Sequence, residues 1–224
     1  MDSWDKLNSE IINCTRCPRL VSYIKEVARK KKKAFSKWEY WGKPVPGFGD
    51  RKAELFILGL APAAHGANRT GRMFTGDASG DLLVKVLHKY GFANKPVSVS
   101  KDDGLMLKNC YLSASIRCAP PNNRPLASEI RNCSEYLIRE LKLIRPKYIV
   151  LLGRIAYDTF FKIFESVYGF GIKKPKFEHG LIYKSNNSPY IILTYHPSQR
   201  NRRTGRLREE DFEDVFKKVK ELMG

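Results

Sequence analysis

Four short apolar runs along the chain predict buried strands, and helical patterns lie between them. The runs cover residues 54–60, 109–114, 148–153 and 190–195. Apolar residues recur at helical spacing in the segments 4–12, 20–34, 79–90, 128–144, 154–164 and 208–223. Strands that alternate with helices predict an α/β fold in which a parallel sheet is covered on both faces.

Length and composition predict one compact globular domain spanning residues 1–224, because the chain is 42% hydrophobic and 12% aromatic. It carries 41 Lys and Arg against 23 Asp and Glu, a formal charge of +18. A fold does not require this excess, which favours a polyanionic partner, with nucleic acid as the leading candidate. The alternative is a charged surface adapted to solubility or heat.

No apolar run is long enough to cross a bilayer, and the N-terminus lacks the basic-then-apolar layout of a signal peptide. We therefore expect a cytoplasmic protein without membrane association. Separately, we expect a monomer.

The segment 59–77, GLAPAAHGANRTGRMFTGD, joins the first predicted strand to the helix predicted over 79–90. Its glycines and alanines let the backbone approach a flat or phosphorylated ligand, where larger side chains would collide. An ordinary connection between a strand and a helix has only about 2 to 6 residues. The segment therefore predicts the floor of a pocket.

The sequence YHPS at residues 195–198 follows the last apolar run. Open parallel sheets bind ligands at the carboxyl ends of their strands, which places His196 at the same edge as the segment 59–77. The arginines that follow, Arg200, Arg202, Arg203 and Arg206, predict a cationic margin suited to phosphates.

Four of the five cysteines form two distant pairs that can converge on one metal site. Cys14 and Cys17 have C-x2-C spacing, while Cys118 and Cys133 are separated by fourteen residues. Four thiolates suit either zinc or a [4Fe-4S] cluster, and the spacing does not choose between them. The alternative is that all five are unconnected core residues, as we expect for Cys110.

The segment 59–77, the sequence RCAPPNNRP at 117–125, YHPSQRN at 195–201 and the four paired cysteines together resemble the uracil-DNA glycosylase superfamily. Within it the chain is similar to family 5, also called type b, over nearly its whole length. The resemblance implies a three-layer α/β/α sandwich with a central, mainly parallel four-stranded sheet. It implies a monofunctional DNA repair glycosylase that hydrolyses the N-glycosidic bond of uracil and leaves an abasic site. It also implies a [4Fe-4S] cluster on Cys14, Cys17, Cys118 and Cys133, which ties the helices of residues 1–35 to the body.

The resemblance assigns roles to individual residues once a base is flipped out of DNA. Phe74 matches the aromatic residue that stacks on the base, and His196 matches the histidine that donates a hydrogen bond to the developing O2 anion. Asp77 and Asn123 are candidates for orienting water. Core packing is the alternative for Phe74, a helix N-cap for Asp77 and closure of the Pro-Pro turn for Asn123.

Ala61 stands where better-known uracil glycosylases carry an acidic or amide residue that activates water. A dissociative reaction tolerates this loss because most bond breaking precedes water attack. Ala63 and Ala64 lie where relatives that reject thymine carry a tyrosine, so we expect a roomier pocket that also accepts larger deaminated bases such as hypoxanthine. The other predicted substrate-binding residues are Gly59, His65 and Ser198, and the predicted DNA contacts are Gln199, Arg200, Arg202 and Arg203.

Two other functions remain open from the sequence. One is a noncatalytic zinc-containing protein that binds nucleic acid and uses the glycine-rich segment only to hold phosphate. The other is a hydrolase of small nucleotides with the same pocket, although a charge of +18 exceeds what such a substrate needs.

Overall fold

The computed structural model describes residues 3–224 of the chain. Its helices are α1 (Trp4–Ile12), α2 (Pro18–Lys30), α3 (Ala67–Thr70), α4 (Ala78–Lys89), α5 (Ala127–Ile144), α6 (Arg154–Tyr168), α7 (Gln199–Arg203) and α8 (Glu209–Met223). Its strands are β1 (Phe48–Gly49), β2 (Leu55–Gly59), β3 (Cys110–Ala114), β4 (Tyr148–Leu152), β5 (Ile182–Tyr183) and β6 (Tyr190–Thr194). Two short 3-10 turns cover Lys33–Phe35 and Pro121–Asn123.

The strands form one sheet in the order β1-β3-β2-β4-β6-β5. The four predicted strands are confirmed as β2, β3, β4 and β6, which pair in parallel. The predicted number of four strands is incomplete, because β1 and β5 add antiparallel edges. Each of these has only two residues, too short to produce an apolar run in the sequence.

Alternating residues of the central strands pack against different helices, which creates the three layers. In β2, Leu55 and Ile57 join a core with residues of α4 and α8, and Phe56 and Leu58 join a core with residues of α5 and α6. Each such buried side chain contributes about 1.5–3 kcal/mol relative to an exposed one. These two cores fix the strand register and therefore the edge at which the strands end.

A buried ion pair joins the sheet to α5. Arg117 and Glu140 are 1% and 0% exposed, with Arg117 Nη2 2.6 Å from Glu140 Oε2. The hydroxyls of Tyr111 and Ser113 also donate to this carboxylate, at 3.2 and 2.6 Å. Removing one partner of a buried pair costs about 3–5 kcal/mol, so the contact firmly anchors the segment that carries Cys118.

The predicted helices are confirmed, with boundaries that differ where capping residues intervene. α2 begins at Pro18, before the predicted residue 20, because proline suits the first helical turn. It ends at Lys30, short of the predicted 34, because Lys31 adopts a φ of +54°. α6 extends beyond the predicted 164 and ends at Tyr168.

Across residues 3–224, no helix combines the length and the apolar character needed to cross a membrane.

Candidate active site

A cleft of about 620 Å³ lies at the carboxyl ends of the parallel strands. Four segments supply its walls: the loop after β2, the 3-10 turn after β3, the start of α6 and the loop after β6. The lining residues are Leu60, Ala61, Pro62, Ala63, Met73, Phe74, Asp77, Ser79, Asn122, Asn123, Arg124, Leu152, Gly153, Arg154, Ile155, His196, Ser198, Arg200 and Asn201. The structure therefore brings the loop after β2 and the segment around His196 to one cleft, as the sequence predicts.

Phe74 forms an aromatic wall of this cleft and also packs against the core. Its φ is +51°, a left-handed conformation that costs about 1–3 kcal/mol and persists only where the surroundings impose it. The ring lies directly on Gly59, where an added Cβ would sit 2.6 Å from Cζ of the ring. Gly59 is therefore the support of the aromatic wall, and it does not itself line the cleft.

A buried arginine holds the turn that carries Phe74. Arg72 makes a bidentate ion pair with Asp103, at 2.9 and 2.8 Å, and donates to the hydroxyls of Thr75 and Ser98 at 2.9 and 2.8 Å. Hydrogen bonds from Arg72 and from backbone amides outweigh partial burial and hold the pKa of Asp103 well below its usual range. This network fixes the strained turn in one conformation.

Asp77 lies on the cleft wall and also caps α4. Its Oδ1 accepts hydrogen bonds from the amides of Ser79 and Gly80, at 3.0 and 3.2 Å. Burial raises its pKa, which these two bonds partly oppose. The two interpretations from sequence, cap and cleft carboxylate, are thus compatible within one residue.

His196 follows β6 and retains some exposure to the cleft. Its carbonyl oxygen accepts a hydrogen bond from Asn201 Nδ2 at 2.9 Å, and within residues 3–224 no hydrogen bond engages its ring. Burial lowers the pKa of His196 to about 4, so the imidazole is neutral near pH 7. A neutral imidazole has one N–H to donate, and here that group is available to a ligand.

The low pKa of His196 predicts a loss of stability in mild acid. The unfolded chain takes up a proton near pH 6.5 whereas the folded chain resists until about pH 4, so stability falls as the pH drops through this window. We expect urea unfolding to show a steeper loss between pH 7 and pH 4.5 for the wild type than for His196→Gln. Equal pH dependence of the two proteins would contradict the assigned pKa.

Asn123 lies at the mouth of the cleft in the turn Pro121–Asn123. Asn122 and Asn123 have φ of +54° and +55°, and the Asn123 amide donates to the Pro120 carbonyl at 3.1 Å. Asparagine tolerates this left-handed conformation better than most residues. Asn123 therefore closes the turn and also presents its side chain at the cleft.

Ser198 and Arg200 line the cleft, and Gln199 and Arg203 are exposed on the short helix α7. The hydroxyl of Ser198 accepts from the Asn201 amide at 3.2 Å and so caps α7. This short helix places three of the predicted DNA contacts on the surface, and Arg200 among them lines the cleft.

Besides Gly59, two predicted site residues lie elsewhere. Arg202 is turned inward, donating to Glu209 at 3.0 Å and to the Ala78 carbonyl at 3.4 Å, so it joins α7 to the start of α4 and α8. His65 lies outside the cleft lining, and its Nδ1 is 3.1 Å from the hydroxyl of Tyr40. Neither contact can be inferred from the sequence, because each depends on how the folded chain orients the side chain.

Sequence reasoning missed two arginines of the cleft, Arg124 and Arg154. Arg154 begins α6 one residue after β4 ends, and its Nε lies 3.0 Å from Asp158 Oδ2. The signal was present, because β4 is a parallel strand between β2 and β6, and its carboxyl end must reach the same edge. Arg124 follows the two asparagines of the turn.

The four cysteines of the predicted metal site converge on the side of the cleft where α2 packs. Cys17, Cys118 and Cys133 are buried in one apolar cluster, and Cys14 is partly buried beside a neighbouring one. Burial raises the pKa of the Cys118 thiol, and the other three thiols raise it further. No three Cys, His, Asp or Glu side chains in residues 3–224 are placed to hold a single metal ion. Cys110 is buried separately in β3.

Comparisons with known proteins agree with this geometry. A family model described as the uracil DNA glycosylase superfamily matches residues 46–220. The chain is 44% identical over 216 residues to the type-5 uracil-DNA glycosylase of Pyrobaculum aerophilum, covering 96% of this chain and 92% of that protein. It is 46% identical over 221 residues to the type-5 uracil-DNA glycosylase of Mycobacterium tuberculosis, covering 98% and 81%. It is 44% identical over 214 residues to that of Thermus thermophilus, covering 94% of each.

Proposed function

The chain belongs to the uracil-DNA glycosylase superfamily, and we propose that its cleft hydrolyses the N-glycosidic bond of uracil in DNA. The observation that carries this proposal is the placement of Phe74 and His196 on one cleft at the carboxyl edge of the sheet. A volume of about 620 Å³ suits a single nucleoside. The product is an abasic site in DNA and a free base.

The base must leave the duplex before it reaches this cleft. Phe74, rigid on its glycine support, offers a ring face on which a flipped base stacks, a contact worth about 1–3 kcal/mol. Stacking tolerates different bases, so selection among bases depends on the hydrogen-bond donors of the cleft and on the space around the Phe74 ring. Ala61 and Ala63 leave that space open.

The neutral imidazole of His196 supplies the donor that the leaving group needs. As the bond between C1′ and N1 breaks, both electrons move to the base and negative charge develops on its O2. A fixed N–H at this oxygen stabilises the departing anion without the cost of reorganising solvent. Water then adds to C1′ of the cationic sugar and gives up one proton, which neutralises the departed base, while a hydroxyl remains on the sugar.

Asp77 and Asn123 are the polar groups of the cleft that can serve the sugar and the water. An ionised Asp77 balances the positive charge of the sugar, and its bonds to two backbone amides help it to stay ionised despite burial. Asn123 presents an amide that can orient water from the mouth of the cleft. The Ala61 side chain has no polar group and so takes no part in orienting water.

Arginines surround the cleft mouth at the positions where DNA phosphates would pass. Arg124, Arg154 and Arg200 line it, and Arg203 is exposed beside it. Together with the charge of +18 they favour duplex DNA over a free nucleotide. A competition assay distinguishes this function from that of a small-nucleotide hydrolase. Excess deoxyuridine monophosphate should inhibit cleavage of duplex DNA only weakly here, whereas it would strongly inhibit an enzyme that binds free nucleotides.

We predict release of free uracil from a duplex containing a single uracil, and slower release of hypoxanthine from a matched duplex. The open wall at Ala61 and Ala63 is the physical reason for the second activity. Chromatography of released base, with xanthine and thymine duplexes in parallel, measures the range. A substitution that fills the space, Ala63→Tyr, should reduce hypoxanthine release more than uracil release. Strict uracil specificity of the wild type would refute the roomier pocket.

We also propose that Cys14, Cys17, Cys118 and Cys133 hold a [4Fe-4S] cluster. Convergence of four thiols from distant segments, with three buried in one apolar cluster, supports a shared ligand. Such a cluster accepts four thiolates, and here it would cross-link the N-terminal helices to the loop that carries Asn123. The comparisons lend no support to a noncatalytic zinc protein.

We also predict that the protein is a monomer. Sedimentation at assay concentration would measure its oligomeric state.

A further inference from the structure

One buried cation behind the cleft has no part in the chemistry above. Arg69 is 4% exposed, and its guanidinium carbon lies 4.0 Å from the ring centre of Phe35 and 4.1 Å from that of Trp38. Its Nε donates to the carbonyl of His65 at 2.8 Å, and its Nη2 donates to the carbonyl of Gly76 at 3.1 Å. The planar group is therefore held by two aromatic rings and, along its edge, by two backbone carbonyls.

The loop around Gly76 is shaped to fit this guanidinium. An added Cβ at Gly76 would sit 2.3 Å from Nη2 of Arg69, and the residue has a φ of +78°. The next residue is Asp77, whose carboxylate lies on the cleft wall. A shift of the Gly76 carbonyl would move Asp77 with it, because one peptide bond joins them.

We propose that Arg69 is a positioning residue for excision, which fixes the peptide between Gly76 and Asp77 and so places the Asp77 carboxylate. The inference rests on the proposed function, in which that carboxylate faces the reacting sugar. Phe35 and Trp38 extend the site to the segment after α2, since they hold the guanidinium in its plane.

The charge of Arg69 supports this assignment beyond its shape. Burial lowers the pKa of Arg69, and among carboxylates Asp77 is the one that favours its charged form. Its Nη1 finds no hydrogen-bond acceptor among the described residues. The carboxylate that favours this buried cation is thus the one that lies on the cleft wall.

Single-turnover release of uracil from duplex DNA tests the proposal with Arg69→Met and Arg69→Lys. We expect Arg69→Met to slow cleavage about 100-fold, the size of effect that a small misplacement produces, with little change in DNA affinity. Arg69→Lys keeps the charge and should recover part of the rate. Arg51→Met controls for the loss of one positive charge beside an aromatic ring, since this exposed arginine lies 5.6 Å from the Trp4 ring at the amino end of the sheet.

The rate–pH profile separates positioning from bulk stability. Asp77 faces the cation of Arg69, the carboxylate of Asp81 and the amides of Ser79 and Gly80. Without the cation, burial and the Asp81 carboxylate are opposed only by the two amides, so the pKa of Asp77 rises. The acid limb of the rate–pH profile of Arg69→Met should therefore move to higher pH. Phe35→Leu, which leaves the guanidinium intact, should show a smaller shift in the same direction.

The proposal is overturned if Arg69→Met cleaves at the wild-type rate with the wild-type pH profile. It is also overturned if Arg69→Met and Arg69→Lys lose melting temperature, DNA affinity and rate together while the profile stays unchanged, since that result indicates a purely structural role. Absence of uracil release by the wild type would instead refute the proposed function itself, and the role of Arg69 with it.

Discussion

His196→Ala should lower the single-turnover rate of uracil release by about 100- to 1000-fold, which corresponds to roughly 2.7–4 kcal/mol of transition-state stabilisation. The ring makes no hydrogen bond to another described residue, so its N–H is free to serve the leaving base. Because only the developing anion on O2 needs this donor, affinity for uracil-containing duplex should change little. Quenched-flow measurement of the released base, with enzyme in excess, separates the chemical step from product release.

A second substitution distinguishes donation from proton transfer at this position. His196→Asn replaces the imidazole by a neutral amide donor and should retain more activity than His196→Ala. The wild-type rate should not follow the titration of an ordinary histidine between pH 6 and 8, because burial lowers the pKa of His196 to about 4. A rate that rises on protonation near pH 6.5 would mean that a cationic imidazole drives departure, contrary to the assignment.

Cys118→Ala should abolish the proposed cluster, and with it the brown colour and the absorption at about 400 nm expected of an iron-sulfur protein, and should destabilise the fold. Loss of a bound metal group is among the changes that cost more than about 4–5 kcal/mol, which for a chain of this size lowers the melting temperature by roughly 10–20 °C. Excision should fall in parallel, because Cys118 precedes the turn that carries Asn123.

Cys110→Ala is the matched control for this experiment. Cys110 is also buried but lies in β3 within another core, so its substitution should leave iron content and absorption unchanged. Iron and sulfide analysis of both variants and the wild type measures the ligand assignment directly. Full iron content in Cys118→Ala, or zinc in place of iron in the wild type, would contradict the proposed cluster.

The fold followed from the sequence wherever a segment is buried on all sides. Each central strand lies within its predicted apolar run because a parallel strand covered on both faces has almost no polar positions. The edge strands β1 and β5 were not predicted, because two residues are too few to show a periodic pattern of apolar positions. Helix ends shifted by a few residues where local backbone conformation, as at Lys31, overrides periodicity.

The cleft was predictable only as far as topology determines it. Residues after β2 and β6 were placed correctly at one edge, since parallel strands share a direction. Side-chain orientation was not available from the sequence: Arg202 faces Glu209, and His65 contacts Tyr40, twenty-five residues away. Arg69 was missed for the same reason, because its clamp by Phe35 and Trp38 exists only in the folded chain.

A crystal structure of the wild-type protein with a duplex containing 2′-fluoro-2′-deoxyuridine tests the central claim most directly, because the electron-withdrawing fluorine suppresses formation of the cationic sugar. We predict that uracil lies outside the helix, stacked on Phe74, with its O2 about 2.7–3.2 Å from a ring nitrogen of His196. A uracil that remains paired in the duplex, or that occupies another part of the surface while the cleft is empty, would contradict the account.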